Sequence, residues 1–410
     1  MADAKYIIVG GGLAAARACE GIREVDATGS ILVITQEHHL PYQRPPLSKG
    51  YLAGRQGLER VVLHEESYYR EQGIRVLTGV TAERISRRGR KVALSTGETL
   101  EYEELLLATG GRAWRLPLSG AELQGVYTLR TIEDADAIRA EARQGNRAVV
   151  IGGSFIGCEV AATLAQNQVQ VTMCFLEEYP LQAVVPRELG DHVTRLFEQH
   201  GARLIPATRP ERIEGVDRIQ AVRLENGETV PCDLAVMGVG IRLNTQLARD
   251  ADLDLTDFSA IIVDETLRTS DPHIWAAGDI AAWPDPHYGR RLRVEHWDVA
   301  SSQGRQAGRN MAGAGEAYTR APYFFSDIFD LSFEAWGNLD GWDRTVTRGS
   351  LETNSVSYWY FAKDVLVGVL ALGRPDEERE AMEALVVRGL AYADVAEALH
   401  DESRPLDSLL

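Results

Sequence analysis

The chain is short of cysteine. Only four of its 410 residues are cysteines, at positions 19, 158, 174 and 232. No two stand close enough for a CxxC or CxxxxC redox pair, and no spacing suits zinc, so no metal site is expected. Buried thiols in a reducing compartment are the expectation instead. Positive charge is also scarce: 43 lysines and arginines against 60 acids leave a formal net charge of −17. That balance argues against bulk binding to nucleic acid or to an anionic membrane. No apolar run approaches the roughly 20 residues that span a bilayer. The first strand pattern begins within a few residues of position 1, so no signal or transit peptide is expected and a cytoplasmic location is.

What is present is glycine in two telling places. Residues 147–178 read as a β-branched strand (Ala148–Ile151), a turn Gly152-Gly153-Ser154-Phe155-Ile156-Gly157, an Ala-rich helix and a second apolar strand from Val169. Such a βαβ unit offers the N–H groups of its helix N-terminus to a pyrophosphate. Residues Tyr6–Glu37 repeat the layout, with Gly10, Gly12 and Ala15 at the fingerprint spacing. One glycine fingerprint is weak evidence, but two, each between a strand and a helix, point to two dinucleotides, one of them a flavin. Ser154 occupies the usual middle-glycine position and fits only with a negative φ. Glu37 follows its strand at the distance that suits a ribose hydroxyl, a surface turn acid being the plainer alternative. Glu159 lies in the first turns of its helix, where the dipole alone would favour an acid.

Elsewhere the chain alternates signals of strand and helix. In Leu40-Pro-Tyr-Gln-Arg-Pro-Pro-Leu-Ser-Lys49 the adjacent prolines predict an extended backbone that holds Arg44 and Lys49 in place. Residues 73–107 look β-rich and end in the turn Ala108-Thr109-Gly110. A strand ending in Ala276-Ala-Gly-Asp279 lets backbone approach a ligand while the carboxylate accepts a hydroxyl hydrogen bond. From Pro322 the pattern changes to aromatic and β-branched strands and then a helix, a module of roughly ninety residues.

In this order the landmarks resemble the FAD-dependent NADH oxidoreductases of the glutathione-reductase fold. The branch indicated contains bacterial ferredoxin reductases and apoptosis-inducing factor. The most specific pieces are the Leu40–Lys49 stretch, Ala276-Ala-Gly-Asp279 and Arg293-Val-Glu-His-Trp-Asp298. The resemblance implies an α/β fold with two three-layer dinucleotide-binding domains and an α+β C-terminal domain. Residues 1–112 and 238–320 would bind FAD, 113–237 would bind NADH, and 321–410 would stand beside the flavin.

Position by position, the resemblance puts Gly10, Gly12, Leu13 and Ala14 on the FAD pyrophosphate and Glu37 on its adenosine ribose. Arg44 and Lys49 would serve its phosphate and isoalloxazine side, and Ala82 the adenine. Ala108, Thr109, Gly110 and Arg115 would follow, with Asp279 on the ribityl chain. Glu295, His296, Trp297 and Phe325 would lie near the ring. Gly152, Gly153, Ser154, Phe155, Ile156 and Gly240 would hold NADH, with Glu177 on its ribose. Ferredoxin reductases carry that acid directly after the strand, where this chain has Phe175; apoptosis-inducing factor has it two residues on, which Glu177 matches. Arg187, the nearest downstream cation, is expected well beyond the strand end. Lys49 and Glu159 would pair beside flavin N5 as the catalytic residues.

Disulfide-using relatives need a cysteine pair in the first helix, and peroxide-using relatives a cysteine near position 42. Tyr42 and Pro45 stand there instead, so electrons are expected to leave the flavin directly. The implied activity takes hydride from NADH and passes electrons to a small iron–sulfur carrier, a ferredoxin, from a monomer or homodimer. The alternatives are an NADH oxidase or quinone reductase, and an NADH-responsive redox-sensing protein. Arg305 and Arg309, one helical turn apart with Arg290, Arg291 and Arg293 upstream, would offer a docking face; solvated arginines balanced by acids are the plainer reading.

Overall fold

The computed structural model describes residues 3–410, which divide into two compact units. The first comprises the chain through Gln43, Leu58–Arg112 and Arg242–Tyr323. The second comprises Arg44–Gly57, Ala113–Ile241 and Phe324–Leu410. Both are built on a parallel sheet with fully buried apolar strands inside it, such as Ile31–Ile34 and Leu234–Met237, as burial on both faces requires.

In the first unit that sheet runs, in spatial order, Ile74–Leu77, Ile31–Ile34, Ala4–Val9, Thr99–Leu107, Ile274–Ala276. Its residues Ile7, Ile8, Val33, Leu105 and Ile274 are wholly buried, each contributing roughly 2 kcal/mol of hydrophobic stabilisation. Thr99–Leu107 is long enough to join a second, antiparallel ladder with Lys91–Leu94, which pairs in turn with Ala82–Ser86. The register decides where the site lies. Val9 and Ala276 both pair with Leu107, so the turns after all three strands emerge at one row. Ligands bind at such carboxyl edges in open α/β sheets.

The helices Leu13–Val25 and Trp297–Met311 pack against each other through glycine. A Cβ at Gly304 would meet the Ala14 carbonyl oxygen, one at Gly308 that of Ala18, and one at Gly21 that of Arg305. Backbone contact of this kind leaves no room for any side chain.

The second unit repeats the plan: Arg203–Ile205, Gln170–Cys174, Arg147–Ile151, Leu234–Met237 and Val126–Thr128, all parallel. Cys174 and Met237 both pair with Ile151, which again aligns the following turns. A separate antiparallel ladder joins Pro210–Gly215, Ile219–Leu224 and Thr229–Pro231. The C-terminal stretch forms a five-stranded sheet: Tyr323–Ile328, Leu331–Gly337, Val365–Leu372, Ser355–Ala362, Arg344–Ser350. The helices Glu377–Arg388 and Tyr392–His400 follow it. The glutathione-reductase-like α/β class is thus the observed one. The second of those C-terminal helices, and the strands Ala82–Ser86 and Pro210–Gly215, carry too weak a pattern to read from sequence. No helix among the described residues is long and apolar enough to cross a membrane.

Candidate functional site

The first glycine turn is set by backbone geometry. Gly10 sits at φ +135°, where a Cβ would collide with the Ala108 carbonyl oxygen. Gly12 differs: its φ is −96°, and a Cβ would meet nothing within 4 Å. Gly12 caps the helix Leu13–Val25 without a side-chain hydrogen bond, and the first turn carries no acid. The helix N-terminus thus lacks a side-chain cap and has open space beside Gly12, a cradle that fits a pyrophosphate.

Around this turn the other expected residues of the unit take defined places. Leu13 and Ala14 are buried in the first helical turn. Glu37 is half-buried, and the Tyr42 hydroxyl donates to its carboxylate. Ala82 is buried at the start of its strand. Thr109 donates to the Asn244 carbonyl at 2.6 Å, and Asn244 returns a bond to the Thr109 carbonyl at 3.0 Å, fixing the Ala108–Gly110 turn. Asp279 follows Gly278, whose N–H donates to the Gln303 side-chain oxygen at 3.0 Å. Gln303 is completely buried and had no sequence signal, since the glutamine acts on a turn 25 residues away. Glu295 pairs with Arg293 at 2.6 Å. Burial holds the His296 imidazole down to about 4, so it is neutral at pH 7, and Trp297 opens the helix behind it.

The second glycine turn is geometrically the first again. Gly152 has φ +117°, and a Cβ there would collide with the Gly238 carbonyl oxygen. Ser154 has φ −76°, the negative value it needs, and its hydroxyl turns away from the helix to donate to Gly238 at 3.0 Å. The helix Phe155–Gln166 thus keeps its N-terminal N–H groups uncapped by a side chain, with no acid in the first turn. Gly153 lies against the Phe175 ring. Phe155 packs edge-on against Phe324 and Phe333, with ring centroids 5.0 and 5.9 Å apart, while Ile156 is exposed. Gly240, at φ +93°, has open space where a Cβ would be.

Past the neighbouring strand Glu177 is exposed and forms no ion pair among the described residues. Its neighbour Glu178 is paired with Arg187. This corrects the expectation that Arg187 lies well beyond the strand end. Leu181, at φ +63°, turns the chain, and the helix Arg187–Gln199 begins with its guanidinium back at the acid. Arg115 spends its guanidinium on the carbonyls of Ala121 and Val126, and Arg44 on that of Arg130.

The densest polar cluster centres on Glu159, only 4% exposed. Lys49 Nζ stands 2.7 Å from its Oε1. The Ser326 hydroxyl donates to the same oxygen at 2.6 Å, and the Ser48 hydroxyl to Oε2 at 2.5 Å. Thr163, one turn along the Glu159 helix, donates to the Ser48 carbonyl at 2.7 Å. Pro45–Ser48 forms a 3₁₀ turn rather than the extended segment expected. A proline φ near −65° suits the first turn of a helix as well as extended chain. The consequence intended for the prolines still follows, because Lys49 is held at the end of a rigid turn. Glu159 accepts three donors, which compensates its burial. Ser48 and Ser326 escaped the sequence reading because their partner lies 111 and 167 residues away.

All four cysteines are free and buried. Burial pushes the thiols of Cys19, Cys174 and Cys232 up to about 12 and that of Cys158 higher still, so none is a thiolate nucleophile at neutral pH. The described residues contain no cluster able to hold a metal ion. Arg305 is paired with Glu24, and Arg309 with both Glu24 and Glu316, whose carboxyl is held down to about 2 by Arg309. These two arginines present balanced charge rather than a cationic face, which is the plainer of the two readings made from sequence.

Residues 4–304 match the family described as pyridine nucleotide-disulphide oxidoreductase, and residues 323–410 the reductase C-terminal family. The chain is 33% identical to putidaredoxin reductase of Pseudomonas putida, over all of this chain and 97% of that protein. It is 36% identical to the ferredoxin–NAD(+) reductase component of the anthranilate 1,2-dioxygenase system of Burkholderia cepacia, over 84% of each. Among solved structures, the covalent putidaredoxin reductase–putidaredoxin complex superposes with a TM-score of 0.93 at 33% identity, covering 100% of this chain and 98% of that one.

Proposed function

The chain belongs to the pyridine nucleotide-disulphide oxidoreductase family, and from that membership we propose that it is an FAD-dependent NADH reductase delivering electrons to a ferredoxin. The observation that carries the proposal is the Lys49–Glu159 pair, a cation held by a buried carboxylate in a chain with two uncapped dinucleotide turns. The names of its relatives, ferredoxin–NAD(+) reductase and putidaredoxin reductase, support the choice of acceptor. In this reading residues 1–112 and 238–320 form the FAD domain, 113–237 the NADH domain and 321–410 the C-terminal domain. Free, unreactive thiols fit a reducing, cytoplasmic setting.

The residues divide the work. Gly10, Gly12, Leu13 and Ala14 would seat the FAD pyrophosphate on backbone N–H groups, Glu37 would hold the ribose, and Asp279 would fix the ribityl chain. Gly152, Gly153 and Ser154 would do the same for NADH. Lys49 would place positive charge at the reacting ring, and Glu159 would keep the ammonium from swinging away. FAD, when bound, supplies the conversion of a two-electron donor into single-electron steps. Neutral His296 adds no competing charge. Purified protein should be yellow and release about one FAD per chain on denaturation, with no covalent residue left behind. A folded, colourless protein that takes up no FAD contradicts the proposal.

Nicotinamide choice follows from the acids. An exposed carboxylate at Glu177 accepts ribose hydroxyls and repels a 2′-phosphate, while Arg187 is occupied by Glu178. The wild type should prefer NADH. Glu177→Ala should lower kcat/KM for NADH about tenfold, the loss of one charged hydrogen bond of roughly 1.5 kcal/mol. Glu178→Ala should instead raise activity with NADPH by releasing Arg187. Specificity constants for both nucleotides decide the matter; a wild-type preference for NADPH is the contrary outcome.

A further inference from the structure

We propose that Ser326 is a positioning residue for the hydride-transfer step, acting through Glu159 on Lys49. The inference rests on the reading that Lys49 and Glu159 serve that step. Ser326 lies on Tyr323–Ile328, the strand that opens the C-terminal sheet, and is 1% exposed. Its hydroxyl reaches Glu159 Oε1 at 2.6 Å, the very oxygen that holds Lys49 at 2.7 Å. Two donors therefore share one carboxylate oxygen, while Ser48 occupies the other.

Sharing matters in a buried place. A carboxylate at 4% exposure has no water to turn to, so each lost donor is made up by a stronger pull on those remaining. With Ser326 in place, part of the charge on Oε1 is answered by a hydroxyl. The ammonium then keeps more of its field, and two of its three N–H groups, for the reacting ring. Without Ser326, Lys49 is drawn onto Glu159 and its charge is more fully cancelled. The serine thus sets how much of the cation is available, and it does so from the C-terminal sheet, which carries no dinucleotide turn. A purely structural serine would affect stability and leave the cation's availability unchanged.

The test uses full-length, FAD-loaded protein and two readouts: anaerobic stopped-flow reduction by NADH and the midpoint potential of the bound flavin. Ser326→Ala should lower the saturating reduction rate about tenfold, with the half-saturating NADH concentration changed less than twofold. It should also shift the flavin potential to more negative values. Ser326→Thr, which keeps the hydroxyl, should restore both. If Ser326→Ala does not yield flavin-loaded protein, Ser326→Cys takes its place, keeping the shape of the side chain while weakening the donor. Lys49→Met is measured alongside. If Lys49→Met changes rate and potential while the Ser326 variants behave as wild type, the role of Ser326 is refuted and the site reading stands. If Lys49→Met changes neither, the site reading itself fails, and this inference with it.

Discussion

Lys49→Met should leave a folded, yellow protein whose flavin NADH reduces about 10- to 100-fold more slowly at saturation. The figure corresponds to losing a charged contact of roughly 1.5–3 kcal/mol that is used in the transition state. Because the effect lies in that step, the half-saturating concentration of NADH should change little. The substitution also strands Glu159, buried and left, among the described residues, with Ser48 and Ser326 as donors. Breaking a buried pair from one side costs more than removing both partners. Lys49→Met combined with Glu159→Gln should therefore be more stable than Lys49→Met alone, and equally slow. Stopped-flow reduction with a thermal unfolding series reads both effects. A wild-type saturating rate in Lys49→Met removes the residue from the site.

The second large effect separates two glycines that look alike in the sequence. Gly10→Ala forces a Cβ onto the Ala108 carbonyl oxygen at a φ of +135°. Strain and overpacking should together cost about 2–6 kcal/mol, so both apoprotein stability and FAD retention should collapse. Gly12→Ala meets no such obstacle, having a φ of −96° and open space beyond its Cα. Its apoprotein should be as stable as wild type, yet FAD affinity should fall at least about tenfold, because the methyl group would fill the cradle expected to receive the pyrophosphate. Unfolding of the apoproteins and fluorescence titration with FAD distinguish the two. Undiminished FAD binding by Gly12→Ala contradicts the placement of the cofactor at this turn.

How much of this was legible in the sequence depends on how local its cause is. Gly10 and Gly152 announce themselves because a positive φ after a strand is a local demand that glycine alone meets cheaply. The buried strands Ala4–Val9 and Arg147–Ile151 announce themselves through β-branched runs. Helical spacing placed Arg305 and Arg309 one turn apart, yet it could not show that Glu24, more than 280 residues away, pairs with both. Arg187 was misplaced because a turn at Leu181 brings it back to Glu178, and a leucine at positive φ leaves no compositional trace. Serine is too common for Ser48 and Ser326 to stand out, and only the fold brings both to one carboxylate. The Lys49–Glu159 pairing itself came from family resemblance, since nothing in the spacing of the two residues announces it.

The most direct test of the account is NADH oxidation by the purified, FAD-loaded protein with a [2Fe–2S] ferredoxin as sole acceptor, set beside a quinone and dioxygen. The account predicts that ferredoxin accelerates turnover far beyond either small acceptor, and that the rate falls steeply in Lys49→Met. Reduced flavin that ferredoxin fails to reoxidise, while quinone or oxygen does so readily, would contradict it.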